Sequence, residues 1–143
     1  MYYLCLNCGE IYTSKHLPNN SNDLRCPKAS CRNELVEIDE LMLPIVKKLM
    51  DLGYHTRYCC SGHCFESIIC SYLIVNSDDL IPVPNAFCHF PPTWEIKFFE
   101  SDYAFYPKVL DFDDNTNLIK KQKQIFKIIS DLMDWVETLP SIK

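Results

Sequence analysis

The sequence predicts an α+β fold, with two helices set against a small antiparallel sheet and a cysteine-stapled segment at the N-terminus. Three observations carry this. Two cysteine pairs lie within the first 31 residues, the middle of the chain alternates polar and apolar residues with a strand period, and a long helical stripe closes it. At 143 residues and 48% hydrophobic content, the chain is long enough to bury one core of ordinary size.

The N-terminal segment "CLNCGEIYTSKHLPNNSNDLRCPKASC" places Cys5 and Cys8 in a C-x-x-C-G knuckle, then Cys26 and Cys31 in a C-P-x-x-x-C turn. A short gap lets both thiolates of a pair point at one ion, and Gly9 relieves the backbone as it turns. The second gap is longer than a tight rubredoxin-like turn but within the range that structural zinc sites tolerate. Together the pairs read as a zinc ribbon with Cys5, Cys8, Cys26 and Cys31 as ligands and zinc as the cofactor. His16 is the one alternative ligand in the segment. The polar "PNNSND" is expected to turn the chain, so that "EIYTSKH" and "LRC" form a hairpin joining the pairs. Four thiolates fill a tetrahedral site, so such a zinc would hold the segment together and perform no chemistry.

"VEIDELMLPIVKKLMDLGYHT" predicts a helix, from Leu41, Ile45 and Leu49 at helical spacing, Asp39 as N-cap and Gly53 past the end. Pro44 marks either the first turn or a lost hydrogen bond near the start. "YHTRYC", "SIICSYLIV" and "TWEIKFFE" read as strands, with "YAFYPKVL" as a further candidate. "NSDD" reads as a turn, and the proline-rich "IPVPNAFCHFPP" as an irregular crossing. From Leu118 to Leu139 a stripe of Ile125, Ile129, Leu132 and Val136 predicts a helix that Pro140 stops. The expected division is residues 1–36 as the ribbon and 37–143 as an α+β body, the two packed as one unit, with the boundary near Leu35 to Ile38.

"YCCSGHC", residues 58–64, is the second place where the sequence concentrates reactive groups. Cys60, His63 and Cys64 could donate three ligands to a second metal, with Cys88 or His89 closing the site. An enzyme built on a Cys60 nucleophile and His63 base is a rival reading, with the Ser61-Gly62 backbone as oxyanion donor. Against it, no acidic group other than Glu66 lies close by to orient the histidine. The plainest reading is a turn with its cysteines buried as small hydrophobes.

The formal net charge of -5 argues against direct nucleic-acid binding and favours a protein partner with a basic surface. The acidic candidates for that contact are Asp78, Asp79, Asp111, Asp113 and Asp114, with Asp131, Asp134 and Glu137 on the last helix. A nucleic-acid or nucleotide binding module is the remaining rival, since zinc ribbons often serve such machines, but no basic stripe with interleaved aromatics supports it. No stretch is apolar enough to cross a membrane and the start lacks a secretory signal, so a cytoplasmic protein is expected. Nine cysteines then point to metal ligands in a reducing compartment.

The run "IDELMLPIVKKLMDLGYHTRYCCSGH", behind its cysteine-rich ribbon, resembles a group of small proteins carried by phages and mobile elements of Gram-positive bacteria. The likeness covers approximately residues 3 to 64 and leaves the C-terminal half undistinguished. A similar "CSG" turn occurs in wybutosine-type tRNA methyltransferases, whose catalytic outline this chain lacks. Within the phage group, acidity and a metal-stapled fold are similar to a zinc-binding anti-CRISPR protein acting on a type II CRISPR-Cas nuclease. That resemblance implies a non-enzymatic inhibitor that binds the effector, in the cytoplasm of the host cell, and blocks DNA loading or recognition.

Overall fold

The computed structural model describes residues 2–5, 7–17, 24–60, 72–108 and 118–143. The fold is α+β, and among the described residues it has two small antiparallel sheets and three α-helices. Strands β1 (Tyr2–Cys5), β2 (Ile11–Thr13) and β3 (Leu35–Ile38) form the first sheet in the order β2-β1-β3. Here the pairing differs from the expected hairpin. The strand before the polar spacer returns onto β1, with Tyr3 opposite Tyr12, while Arg25 bridges Glu34. Each cysteine pair therefore sits at the tip of its own turn, and β1 joins the two by pairing Cys5 with Leu35.

Helix α1 spans Leu43–Leu52, later than the pattern suggested: its N-cap is Met42 and not Asp39, Val36 to Ile38 are committed to β3, and Pro44 takes the first helical turn. Its end follows the sequence: Gly53 is left-handed, and the Gly53 and Tyr54 amides close back on Met50 and Leu49. The second sheet holds β4 (Thr56–Cys60), β5 (Tyr72–Asn76), β6 (Trp94–Phe99) and β7 (Asp102–Pro107), in the order β4-β5-β7-β6. "NSDD" departs from the expected turn by forming a one-turn helix, α2 (Ser77–Leu80), whose N-cap is the Asn76 side chain accepting from the Asp78 amide. The prolines of residues 82–92 break this stretch into consecutive turns.

Helix α3 (Leu118–Glu137) buries Ile125, Ile128, Ile129, Leu132, Trp135 and Val136. These meet Ile45, Val46 and Leu49 of α1 and Leu73, Val75, Trp94 and Phe105 of the second sheet in one core. Two tryptophans tie α3 to its neighbours through buried hydrogen bonds of 2.8 Å, Trp94 Nε1 to the Ile128 carbonyl and Trp135 Nε1 to the Ala86 carbonyl. Leu4 of β1 and Ile38 of β3 belong to this same core, so the first sheet shares apolar cover with the body. β3 itself runs across the expected boundary between residues 36 and 37.

Candidate metal centre

The two cysteine turns close in the same way despite their different lengths. In the first, the Cys5 amide donates to the Glu10 carbonyl at 3.0 Å and the Gly9 amide to the Cys5 carbonyl at 2.8 Å, with Gly9 at φ +78°. In the second, the Cys26 amide donates to the Asn33 carbonyl at 2.8 Å, and Arg32 takes the left-handed position at φ 55°. Each first cysteine thus bonds the residue two beyond its partner, and the residue directly after the partner turns left-handed. The extra length of the second gap is taken up by a tight turn, in which the Cys31 and Arg32 amides both donate to the Lys28 carbonyl.

These turns bring the four sulfurs within 4.8 Å of one another. Cys5 Sγ lies 3.5 Å from Cys31 Sγ, and Cys8 Sγ lies 3.7 Å from Cys26 Sγ. A disulfide needs about 2 Å, and all four cysteines are free. A tetrahedron with metal–sulfur bonds of about 2.3 Å has edges of roughly 3.8 Å, which matches these separations. The donors are positioned to bind a metal ion, and a soft, all-thiolate set suits a tetrahedral thiophilic one.

The surroundings are arranged for negative sulfur. Asn7 Nδ2 and Asn33 Nδ2 donate to Cys31 Sγ at 3.3 and 3.4 Å, and Tyr12 Oη lies 3.4 Å from Cys26 Sγ. The Asn33 backbone and side chain, then Asn7, pull the Cys31 thiol down to about 6. The tyrosine hydroxyl lowers Cys26, and the same bond raises Tyr12. Burial pushes Cys8 up to about 12. Hydrogen bonds to ligand sulfurs orient them and spread the charge that four thiolates would place on one ion. Asn7, Tyr12 and Asn33 were not singled out in the sequence. Their signal was an amide beside each turn and a tyrosine in register with Tyr3.

Comparison with family models, curated proteins and solved structures finds no match.

The other candidates fall at separate places among the described residues or lie outside them. Cys60 ends β4, while His63 and Cys64 lie outside the described residues. Cys88 and His89 are exposed on the turns before β6, and among the described residues the four N-terminal cysteines are the one metal-competent group found. Asp111, Asp113 and Asp114 lie outside the described residues as well. Asp131 is mostly buried and engaged within the fold, accepting from Thr93 Oγ1 at 2.9 Å and pairing with Lys127 at 2.6 Å. Asp79 is likewise occupied, accepting from the His55 amide at 2.7 Å. Asp78, Asp134 and Glu137 are exposed. No described helix is long and apolar enough to cross a membrane.

Proposed function

We propose that Cys5, Cys8, Cys26 and Cys31 hold one zinc ion as a zinc ribbon, and that the chain is a non-enzymatic binding protein which this zinc staples together. The observation that carries the reading is the convergence of four cysteine sulfurs within 4.8 Å. A tetrathiolate site leaves no coordination position for water or substrate, so its contribution is to folding, and the working surface lies elsewhere. The sequence resemblance supplies the partner to test first, a type II CRISPR-Cas effector nuclease. A net charge of -5 suits the positively charged channel that such an effector offers to its heteroduplex.

Two measurements test this. Elemental analysis of purified protein should find one zinc per chain in the wild type and none in Cys5→Ser or Cys26→Ser, and full stoichiometry in both variants would show that the ligands are others. Target-DNA cleavage by a type II RNA-guided nuclease should fall as folded, zinc-loaded protein approaches equimolar amounts. Undiminished cleavage at large excess would overturn the inhibitor role while leaving the metal reading intact.

A further inference from the structure

The second sheet carries apolar rows across its core face, and both rows run past the helices. Paired positions place Leu73, Phe105 and Ile96 side by side in one row, and Val75, Tyr103 and Phe98 in the next. Leu73 and Phe105 are 0% exposed, but Ile96 is 36% and Phe98 57% exposed. The core layer is thus covered at β5, at β7 and at Trp94 of β6, and open at Ile96 and Phe98. Among the described residues, no strand pairs with the outer side of β6.

The hydrogen-bonding phase of that edge follows from the ladder. The Lys108 amide donates to the Thr93 carbonyl at 2.8 Å, so Thr93, Glu95, Lys97 and Phe99 direct their backbone groups at β7. Trp94, Ile96 and Phe98 therefore present theirs outward. Pro107, opposite Trp94, fits this phase because its missing amide is one that β6 would not use. The Trp94 amide is already taken by the Pro91 carbonyl. What remains for a partner is a short strand edge centred on Ile96.

We infer that β6 pairs antiparallel with β6 of a second copy of this chain, centred on Ile96, to continue the sheet across a two-fold axis. Charge selects both the occupant and the register. Outward residues must face outward residues, so strands slide in steps of two. With Ile96 opposite Ile96, Glu95 of each copy faces Lys97 of the other, making two opposite-charge pairs on the face away from the core. Sliding by one step sets Lys97 against Lys97, and sliding the other way sets Glu95 against Glu95. Lys97 is already held on that face, with Nζ 5.3 Å from the centre of the Tyr106 ring. On the core face, the centred register joins the two Ile96 side chains and carries Phe98 over the partner copy's Trp94 position, continuing the apolar rows. An isologous contact of this kind uses up the edge and closes, where an open hydrophobic edge would aggregate.

Sedimentation analysis of zinc-loaded protein, with zinc content and thermal unfolding as checks on the fold, tests the arrangement through two exposed residues. Wild type should show a reversible monomer–dimer equilibrium. Glu95→Lys alone, or Lys97→Glu alone, turns both cross-pairs repulsive and should weaken the dimer by about tenfold or more. An equal mixture of the two variants makes every cross-pair attractive again, and should recover wild-type affinity as a heterodimer. A wild type that stays monomeric at its highest soluble concentration overturns the inference. So does a dimer that neither reversal weakens, or a mixture that recovers nothing.

Discussion

Removing the metal should loosen the first sheet and, through Leu4 and Ile38, destabilise the body as well. Among the described residues, the local core around the cysteines has Leu35 as its one buried aliphatic side chain, a contribution of roughly 1.5–3 kcal/mol. Ordering the backbone costs about 1 kcal/mol or more per residue. Over the turns and strands of residues 7–17 and 24–34 that cost exceeds the burial several-fold, and coordination energy from the proposed metal would make up the difference. When it frays it takes β2 from the side of β1, and if β1 and β3 then part along their whole length, from Cys5 opposite Leu35 to Tyr2 opposite Ile38, the buried Leu4 and Ile38 lose cover. Exposing both would cost the body about 3–6 kcal/mol, a large share of the 5–15 kcal/mol typical of a domain. Calorimetry of chelated against metal-loaded protein should therefore show the midpoint lower by roughly 10–25 °C. Amide exchange should show protection lost at Cys5, Gly9 and Cys26, whose amides close the two turns. An unchanged midpoint with those amides still protected would refute the argument, because the segment would then be holding itself together without a metal.

Three further outcomes follow from single groups. Metal affinity should fall with constant steepness from about pH 8 down through pH 6, because the frayed metal-free segment returns the Cys31 thiol to its ordinary range of about 8.5; a break near pH 6 in competition titrations, where the folded cluster holds the Cys31 thiol, would show that the Asn7 and Asn33 contacts persist without a metal. Gly53→Ala should lower the unfolding free energy by at least about 1 kcal/mol, read as a lower denaturant midpoint with an unchanged slope, since Gly53 sits at φ +100° and an added Cβ would meet Ile142 Cγ1 at 3.0 Å and the Lys143 amide nitrogen at 3.2 Å. Trp135→Phe should cost about 1–3 kcal/mol in the same assay by leaving the buried Ala86 carbonyl without its donor, and a neutral effect would mean that this bond adds nothing net.

What the sequence made legible was local. Helix α3 could be bounded from Leu118 to Pro140 because its apolar stripe, with Ile125, Leu132 and Val136, is long enough to define its own period. Gly53 announced the end of α1 because the left-handed position there favours glycine over other residues. The start of α1 was misplaced since "VEI" serves a strand and a helix equally well. Pairing with Tyr2, Tyr3 and Leu4, distant in sequence, decided for β3. The four cysteines were found from spacing alone, but the residues that tune them were not. Arg32 occupies in the second turn the left-handed place that Gly9 holds in the first, and an arginine gives no composition signal for that role.

The difference between the candidate metal centre and the β6 edge shows why the first was readable and the second was not. A thiolate site demands particular side chains at particular separations, so its chemistry is written in residue identities. An edge is a property of strand order. "TWEIKFFE" carries the same alternation whether the strand lies inside a sheet or at its margin, and only the order β4-β5-β7-β6 leaves Ile96 and Phe98 beyond the helices. Once that order is fixed, the same eight residues become specific. The phase set by Thr93 and Lys108 turns Ile96 outward, and the placing of Glu95 and Lys97 on either side of it leaves one self-complementary register out of three. Had those two charges been alike, each copy would have repelled another in that central register.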